Sequence, residues 1–290
     1  MVGLSGALDQ NSHLTAIVNT GDDATIYGVH VSPDVDIVTY WLAGLADRER
    51  GWGLKDDTFR VVEGLRALGR DAWFQLGDRD FATCIHRTER MGAGDKLTAI
   101  TADVARALGV TATVLPMSDD SVATLIDTAD GRTLEFQDYF VKERQEPEVH
   151  AIRFSGIEEA SPGPDVLRAI EEADKVFLCP SNPLVSIGPI LGLSGVRDAL
   201  KAHPDVTAIS PIIEGAALKG PADKMLAAAG IEVSAYGVAE LYADFLDRFV
   251  LDVRDESHRD RINGLGIEAI VLDTIMADEE RSVLLARDLL

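Results

Sequence analysis

Leu14-Thr15-Ala16-Ile17-Val18-Asn19-Thr20-Gly21-Asp22-Asp23 reads as a short buried strand that stops at a small, polar, acidic turn. The apolar and β-branched run favours extended backbone, and the Asn, Gly and Asp that follow favour a turn. The same succession recurs downstream. Val176–Leu178 runs into Cys179-Pro180-Ser181-Asn182-Pro183, and Val206–Ser210 runs into Pro211-Ile212-Ile213-Glu214-Gly215. Helical patterns lie around and between these strands, at Pro164–Ala173, Gly195–Lys201, Ala222–Ala229, Val238–Phe245 and Glu279–Leu289. Further strands are expected at Phe249–Val253 and Ala269–Leu272, and Val233-Ser234 reads as the start of another. Strands alternating with helices build βαβ units and a mainly parallel sheet. Such sheets bind ligands beyond the carboxyl ends of their strands, so the polar segments after each strand mark the mouth of a nucleotide site.

Two stretches depart from simple alternation. Residues 34–108 are nearly all helical in pattern, with helices expected at Asp34–Leu45, Asp57–Leu68 and Leu97–Leu108. Residues 111–155 read as β-structure, with a strand at Thr111–Leu115 and a hairpin pairing Val122–Thr128 with Gly131–Phe140 around Asp130-Gly131. The expected fold is therefore a single α/β domain over residues 1–290. Its core is a doubly wound, mainly parallel, Rossmann-like sheet, with a helical insertion at about 34–108 and a small antiparallel addition at about 111–155.

Composition narrows the function. The 290 residues are 46% hydrophobic, enough for a sizeable core, and carry a formal charge of −22. Such a surface is a poor match for nucleic acid, whose phosphates need clustered Lys and Arg. It still tolerates a small anionic ligand held by local Arg, backbone N–H groups or a bound cation. No run of 18 apolar residues and no basic-then-apolar leader occurs, so a membrane partner is not expected and a cytoplasmic location is. Cys84 and Cys179 fit neither a disulfide framework nor a zinc site.

Four constellations could carry chemistry. Asp22 and Asp23 end the first strand, and Ser32-Pro33-Asp34-Val35-Asp36 opens a helix. Carboxylates from both could converge on Mg²⁺; equally, the first pair makes a turn while Ser32 or Asp34 caps the helix. Leu76-Gly77-Asp78-Arg79-Asp80-Phe81 sets an Arg between two acids, either as a surface ion pair or with Asp78 and Arg79 aimed into a cleft. His86 and Arg87 follow, and a lone His there is more often structural than catalytic. Pro180 to Ile190 offers Ser181, Asn182 and Ser186 as hydrogen-bonding groups in a long uncharged loop. Gly220-Pro221-Ala222-Asp223-Lys224 puts a Lys in a first helical turn, against the helix dipole, which hints at an anion unless it is a plain surface Lys.

Taken together, NTGDD (19–23), SPDVDIV (32–38), GWG (51–53), LGDRDFAT (76–83), LPMSDD (115–120), FQDYFV (136–141), CPSNPLVSIGPI (179–190), SPIIEG (210–215) and GPADK (220–224) resemble the 2-phospho-L-lactate transferases of coenzyme F-420 biosynthesis. Each segment alone is weak; their common order over about residues 13–275 makes the match specific. The resemblance implies transfer of a phospholactyl or phosphoenolpyruvyl group from a guanosine diphosphate ester to the ribityl hydroxyl of a deazaflavin, 7,8-didemethyl-8-hydroxy-5-deazariboflavin, with release of GMP. It implies Mg²⁺ as cofactor, held by Asp23 and Asp36, and a possible homodimer. Asp36 and Arg79 would carry the reaction and touch the deazaflavin, with Asp78 beside them. Ser181, Asn182, Ser186 and Gly188 would line the guanine nucleotide, and Lys224 would lie near its phosphates. Asp36 is the first candidate for general base.

The sequence departs from the family pattern at its start. Members open with a strand and a Gly-Gly-x-Gly-x-x-Lys/Arg loop, whereas Met1-Val2-Gly3-Leu4-Ser5-Gly6-Ala7-Leu8 looks like the end of the first helix. Without that central strand a gap in the sheet is expected, and the loop's N–H donors are lost. The departure keeps two alternatives open, a nucleotide-binding regulatory protein of the same fold and an inactive homologue.

Overall fold

The computed structural model describes residues 1–290. Its elements run α1 (Val2–Ala7), β1 (Thr15–Val18), β2 (Ala24–Ile26), β3 (Val29–Val31), α2 (Pro33–Leu42), α3 (Arg60–Ala67), α4 (Asp78–Gly92), α5 (Leu97–Ala107), β4 (Thr113–Pro116), β5 (Ala123–Thr128), β6 (Thr133–Glu135) and β7 (Val149–Ser155). They continue with α6 (Val166–Glu171), β8 (Val176–Leu178), α7 (Gly188–Gly192), α8 (Val196–Ala202), β9 (Val206–Ile209), β10 (Ile212–Ile213), β11 (Ala216–Ala217), α9 (Ala222–Ala228), α10 (Ala235–Leu241), β12 (Arg248–Asp252), α11 (Arg259–Asn263), β13 (Glu268–Leu272) and α12 (Glu279–Leu289).

A four-stranded sheet in the order β13-β12-β9-β8 is parallel throughout. Its strands are apolar on both faces, as a sheet covered by helices requires. Phe249 and Leu251 point into the main core with Val206 and Ala208, while Val250 and Ile209 pack with Leu285 and Leu289 of α12 on the other face. That alternation with period 2 is why an unbroken apolar run serves two layers of helix. The pair β1-β4 repeats the pattern: Ala16, Val18 and Val114 meet Val35 of α2, and Leu115 enters the main core.

The two parallel blocks do not hydrogen-bond to each other. β1 pairs only with β4, and β8 pairs only with β9. Their free edges line one cleft of about 1350 Å³, together with Leu14, Ala16, Val18, Val176 and Leu178. The expected gap in the sheet is this cleft. Asn19 ties the blocks at its carboxyl end by donating from Nδ2 to the Val185 carbonyl at 3.3 Å.

Several local expectations are corrected. The strand at 113–116 is parallel to β1 and so joins the main frame, and the antiparallel sheet β6-β5-β7 begins only at Ala123. The hairpin's second arm stops at Glu135, because residues 138–142 turn into a π-helical coil that buries Tyr139. Val233-Ser234 starts no strand: Ser234 accepts from Gly237 N and caps α10. The hairpin β2–β3 was not apparent in the sequence. Its turn residues, Tyr27 (φ 54°) and Gly28 (φ 87°), are both left-handed, as a two-residue turn of this kind requires, but its arms are too short to display alternation. The helical insertion packs on the β2–β3 hairpin around a small shared core of Ile26, Val31, Val62, Leu76, Phe81 and Cys84.

Candidate functional site

The carboxyl end of β1, the first turn of α2 and the loop after β8 meet at one place. Asn19, buried, organises it. Its Oδ1 accepts from Gly21 N at 2.8 Å, and its Nδ2 donates to Asp34 Oδ2 at 3.0 Å and to the Val185 carbonyl. Gly21 has no room for a side chain, since a Cβ would stand 2.8 Å from Thr124 Oγ1 and 3.0 Å from Asn19 Oδ1. The turn therefore passes under β5 at a distance only glycine allows.

Neither Ser32 nor Asp34 caps α2. Ser32, fully buried, donates instead to Asp23 Oδ2 at 2.6 Å, and His30 Nε2 lies 2.9 Å from the same oxygen. Asp36 faces the insertion, where Arg87 of α4 donates to it in a buried ion pair and also donates to the His30 carbonyl at 3.2 Å. Burial pushes the Asp36 carboxyl up, and Arg87 opposes the shift. The guanidinium stays protonated, and its charge favours the ionised form of Asp36. Arg87 is thus a central residue of this region, although in sequence it looked only like a companion of the exposed His86. A buried Arg in the third turn of an amphipathic helix leaves no local signal, because its partner is 51 residues away.

The electrostatics are those of crowded acids. Burial, followed by the charge of Asp34, pushes Asp22 well above the usual carboxylate range. Burial likewise lifts Asp34 to about 6 and Asp80 to about 7, the latter also by the Asp36 charge. Tyr40 donates to Asp80 Oδ1 at 2.8 Å. Thr20 Oγ1, Asp22 Oδ1, Asp23 Oδ1, Asp36 Oδ2 and Thr124 Oγ1 are buried without a hydrogen-bond partner. Orphaned buried oxygens carry a desolvation cost of about 1–3 kcal/mol each unless something satisfies them. Hard oxygen donors of this kind fit Mg²⁺, which holds few protein ligands and retains waters for substrate phosphates. Only Asp36, Asp80 and Cys84 have potential ligand atoms within 4.8 Å of one another. There Arg87 already supplies the cation, and no three of Asp22, Asp23, Asp34 and Asp36 have ligand atoms within that distance of one another, so a metal would need one or two of these carboxylates together with waters or substrate oxygens.

The other sequence-predicted residues fall into separate settings. Asp78 accepts from Thr58 Oγ1 (2.6 Å), Val61 N (2.9 Å) and Arg60 N (3.2 Å), contacts that hold its carboxyl low and fix the start of α3. Asp57 returns the favour by accepting from the N–H groups of Arg79 and Asp80 at the start of α4. The Arg79 side chain is exposed and donates to the Lys55 carbonyl at 3.2 Å; no contact joins it to Asp36, which instead neighbours Asp80. Asn182 folds its own loop, accepting from Leu184 N and Val185 N at 3.0 and 3.3 Å. Ser181 is exposed, Ser186 half-buried, and Gly188 opens α7 against Phe154. Lys224 is exposed in the first turn of α9 and reaches the Gln145 carbonyl at 3.4 Å. Ser181 and Ser186 line the same cleft as Asn19 and Asp34, so the loop and the acidic turn share one opening. Cys84 and Cys179 are both free thiols, and no helix is long and apolar enough to cross a membrane.

With this geometry in view, comparison with known proteins is informative. The model of the family "2-phospho-L-lactate transferase CofD" matches residues 2–288. The chain belongs to that family. It is similar to the 2-phospho-L-lactate transferase of Methanosarcina mazei, at 45% identity over 273 residues, covering 94% of this chain and 89% of that one. It is also similar to the phosphoenolpyruvate transferases of Streptomyces griseus, at 42% identity over 97% of this chain and 90% of that one, and of Thermobifida fusca, at 44% identity over 95% and 85%. Among solved structures, the UPF0052 family protein BH3568 of Bacillus halodurans superposes with a TM-score of 0.64 at 15% identity, covering 99% of this chain and 94% of that one. The last likeness concerns the fold alone. The acidic turn and the loop after β8 thus belong to a transferase family whose members carry the names of two different acids.

Proposed function

We propose that the protein transfers a phospholactyl or phosphoenolpyruvyl group from a guanosine diphosphate ester to the ribityl hydroxyl of a deazaflavin, releasing GMP, in coenzyme F-420 biosynthesis. The observation that carries this reading is the set of buried, unpartnered carboxylate oxygens of Asp22 and Asp23 after β1 and of Asp36 in α2, near the cleft that Asn19, Asp34, Ser181 and Ser186 line. Mg²⁺ bound there would neutralise charge developing on the phosphates. Asp23 and Asp36 are the carboxylates proposed for the metal, with Asp22 beside them. Ser181, Asn182, Ser186 and Gly188 would hold the guanine nucleotide, and Lys224 its phosphates. Asp78 and Arg79 would meet the deazaflavin at the rim of the insertion.

In the step itself the ribityl oxygen attacks the phosphorus that bears the acid. The bond from that phosphorus to the oxygen bridging to GMP breaks, and the hydroxyl proton passes to a carboxylate. Arg87 favours the charged, weakly basic form of Asp36. Asp34, near 6 and without a cationic partner, is the better proton acceptor. Catalysis is otherwise positioning and electrostatics.

Thermal melting with GDP, Mg²⁺ and the deazaflavin alcohol, singly and together, tests the reading. Stabilisation by GDP that requires Mg²⁺, with a further rise from the alcohol, supports it. Stabilisation by GDP with no response to the alcohol favours a nucleotide-sensing protein instead.

A further inference from the structure

A second cavity lies behind the loop after β8. It has a volume of about 520 Å³, within the range of small-ligand sites, and is walled by β7, α8, α9 and α10. Its lining is mostly apolar, with Ile152, Leu184, Leu191 and Leu241 among the walls. One polar group stands out. Tyr242 is 4% exposed and lines the cavity, yet its hydroxyl makes no hydrogen bond within the protein, whereas the comparably buried Tyr40 donates to Asp80. Burial holds the phenol protonated, so it is a donor without an acceptor.

The charge beside it is positive. Arg197 lines the same cavity, stacks 5.1 Å over Phe245, and donates to Asp244 and the Leu241 carbonyl. Asp244 is shared with Lys201 at 3.0 Å, so two cations face one carboxylate and leave one positive charge in excess. An apolar chamber with a free phenol donor, beside a guanidinium whose partner carboxylate is shared with a second cation, fits a ligand with an apolar body and one anionic acceptor.

We propose that this cavity is a binding site for a small hydrophobic carboxylate, whose carboxylate accepts from Tyr242 and faces Arg197. The site is separate from the acidic turn but backs onto the same loop, through Pro183, Leu184 and Gly188. Its occupancy is therefore coupled to the conformation of the loop.

The test uses naphthalene-2-carboxylate as probe, with the neutral naphthalene-2-carboxamide as control, on the full chain. The carboxylate is expected to bind at one equivalent, at least fivefold tighter than the amide. Tyr242→Phe should weaken it by roughly five- to tenfold, the worth of one hydrogen bond. Ala228→Trp, which fills the chamber from α9, should abolish binding. If that variant fails to fold, transferred NOEs from the probe to Leu184, Leu191 and Leu241 methyls in the wild type decide the location. Equal affinity for acid and amide, binding unchanged in Tyr242→Phe, or NOEs to other residues would overturn the proposal, as would no binding at millimolar probe.

Discussion

Replacing Asp34 by asparagine removes one charge from the crowded acidic turn while keeping its shape and its acceptor for Asn19. The consequence is set by the direction of its shift. Burial raises the Asp34 carboxyl from 3.8 to about 6 in the folded protein. A raised acid binds its proton more tightly folded than unfolded, so the folded state is favoured at low pH and loses that advantage as pH climbs from about 4 to 6. Above pH 6 the wild type carries the full penalty. That rise from 3.8 to about 6 corresponds to about 3 kcal/mol at most, because Asp34 keeps some solvent contact. Asp34→Asn is therefore expected to match the wild type near pH 4 and to exceed it by up to about 3 kcal/mol at pH 8, measured by urea unfolding without metal. Mg²⁺ should stabilise the wild type at pH 8 more than the variant, since the ion binds a cluster to which the Asp34 charge contributes. A variant less stable than wild type at pH 8, or a difference independent of pH, would refute the reasoning.

Other perturbations separate the parts of the site. Arg87→Met strands the buried Asp36 charge and should cost about 3–5 kcal/mol in urea unfolding, with the loss shrinking as pH falls and Asp36 protonates; a change below 1 kcal/mol would remove Arg87 from the account. Gly77→Ala drives a Cβ to 2.2 Å from Asp57 Oδ2 and should melt the reciprocal caps of α3 and α4, seen as early hydrogen exchange at Arg79 and Asp80. Lys224→Ala, at an exposed position, should alter stability by less than about 0.5 kcal/mol yet weaken GDP binding in a salt-dependent way.

Much of the frame was legible because strands buried on both faces announce themselves as apolar runs. Thr15–Val18, Val176–Leu178 and Phe249–Asp252 all fall where their composition puts them. Short elements were not: β2 and β3 have three residues each, and no periodicity can show in three. The π-helical turn at 138–142 follows from packing Tyr139 into a core, a tertiary demand that overrides local β-propensity. In the site, the acidic residues were visible as types, but their partners were not. That Ser32 serves Asp23 rather than the helix, that Arg87 holds Asp36, and that Asp78 secures α3 all depend on contacts between distant segments. Asp34 looked like a helix cap because its position suits one; its role emerges only from the proximity of Asn19, Asp22 and Asp23.

The most direct test of the central claim is turnover. The purified protein is mixed with Mg²⁺, the guanosine diphosphate ester of phospholactate or of phosphoenolpyruvate, and the deazaflavin alcohol, and GMP and the acceptor's mass are followed together. The account predicts one equivalent of GMP for each acceptor that gains the phosphoacid, dependent on Mg²⁺ and lost in Asp34→Asn. GDP binding at the same site with neither ester consumed, or full activity in the Asp34→Asn variant, would contradict it.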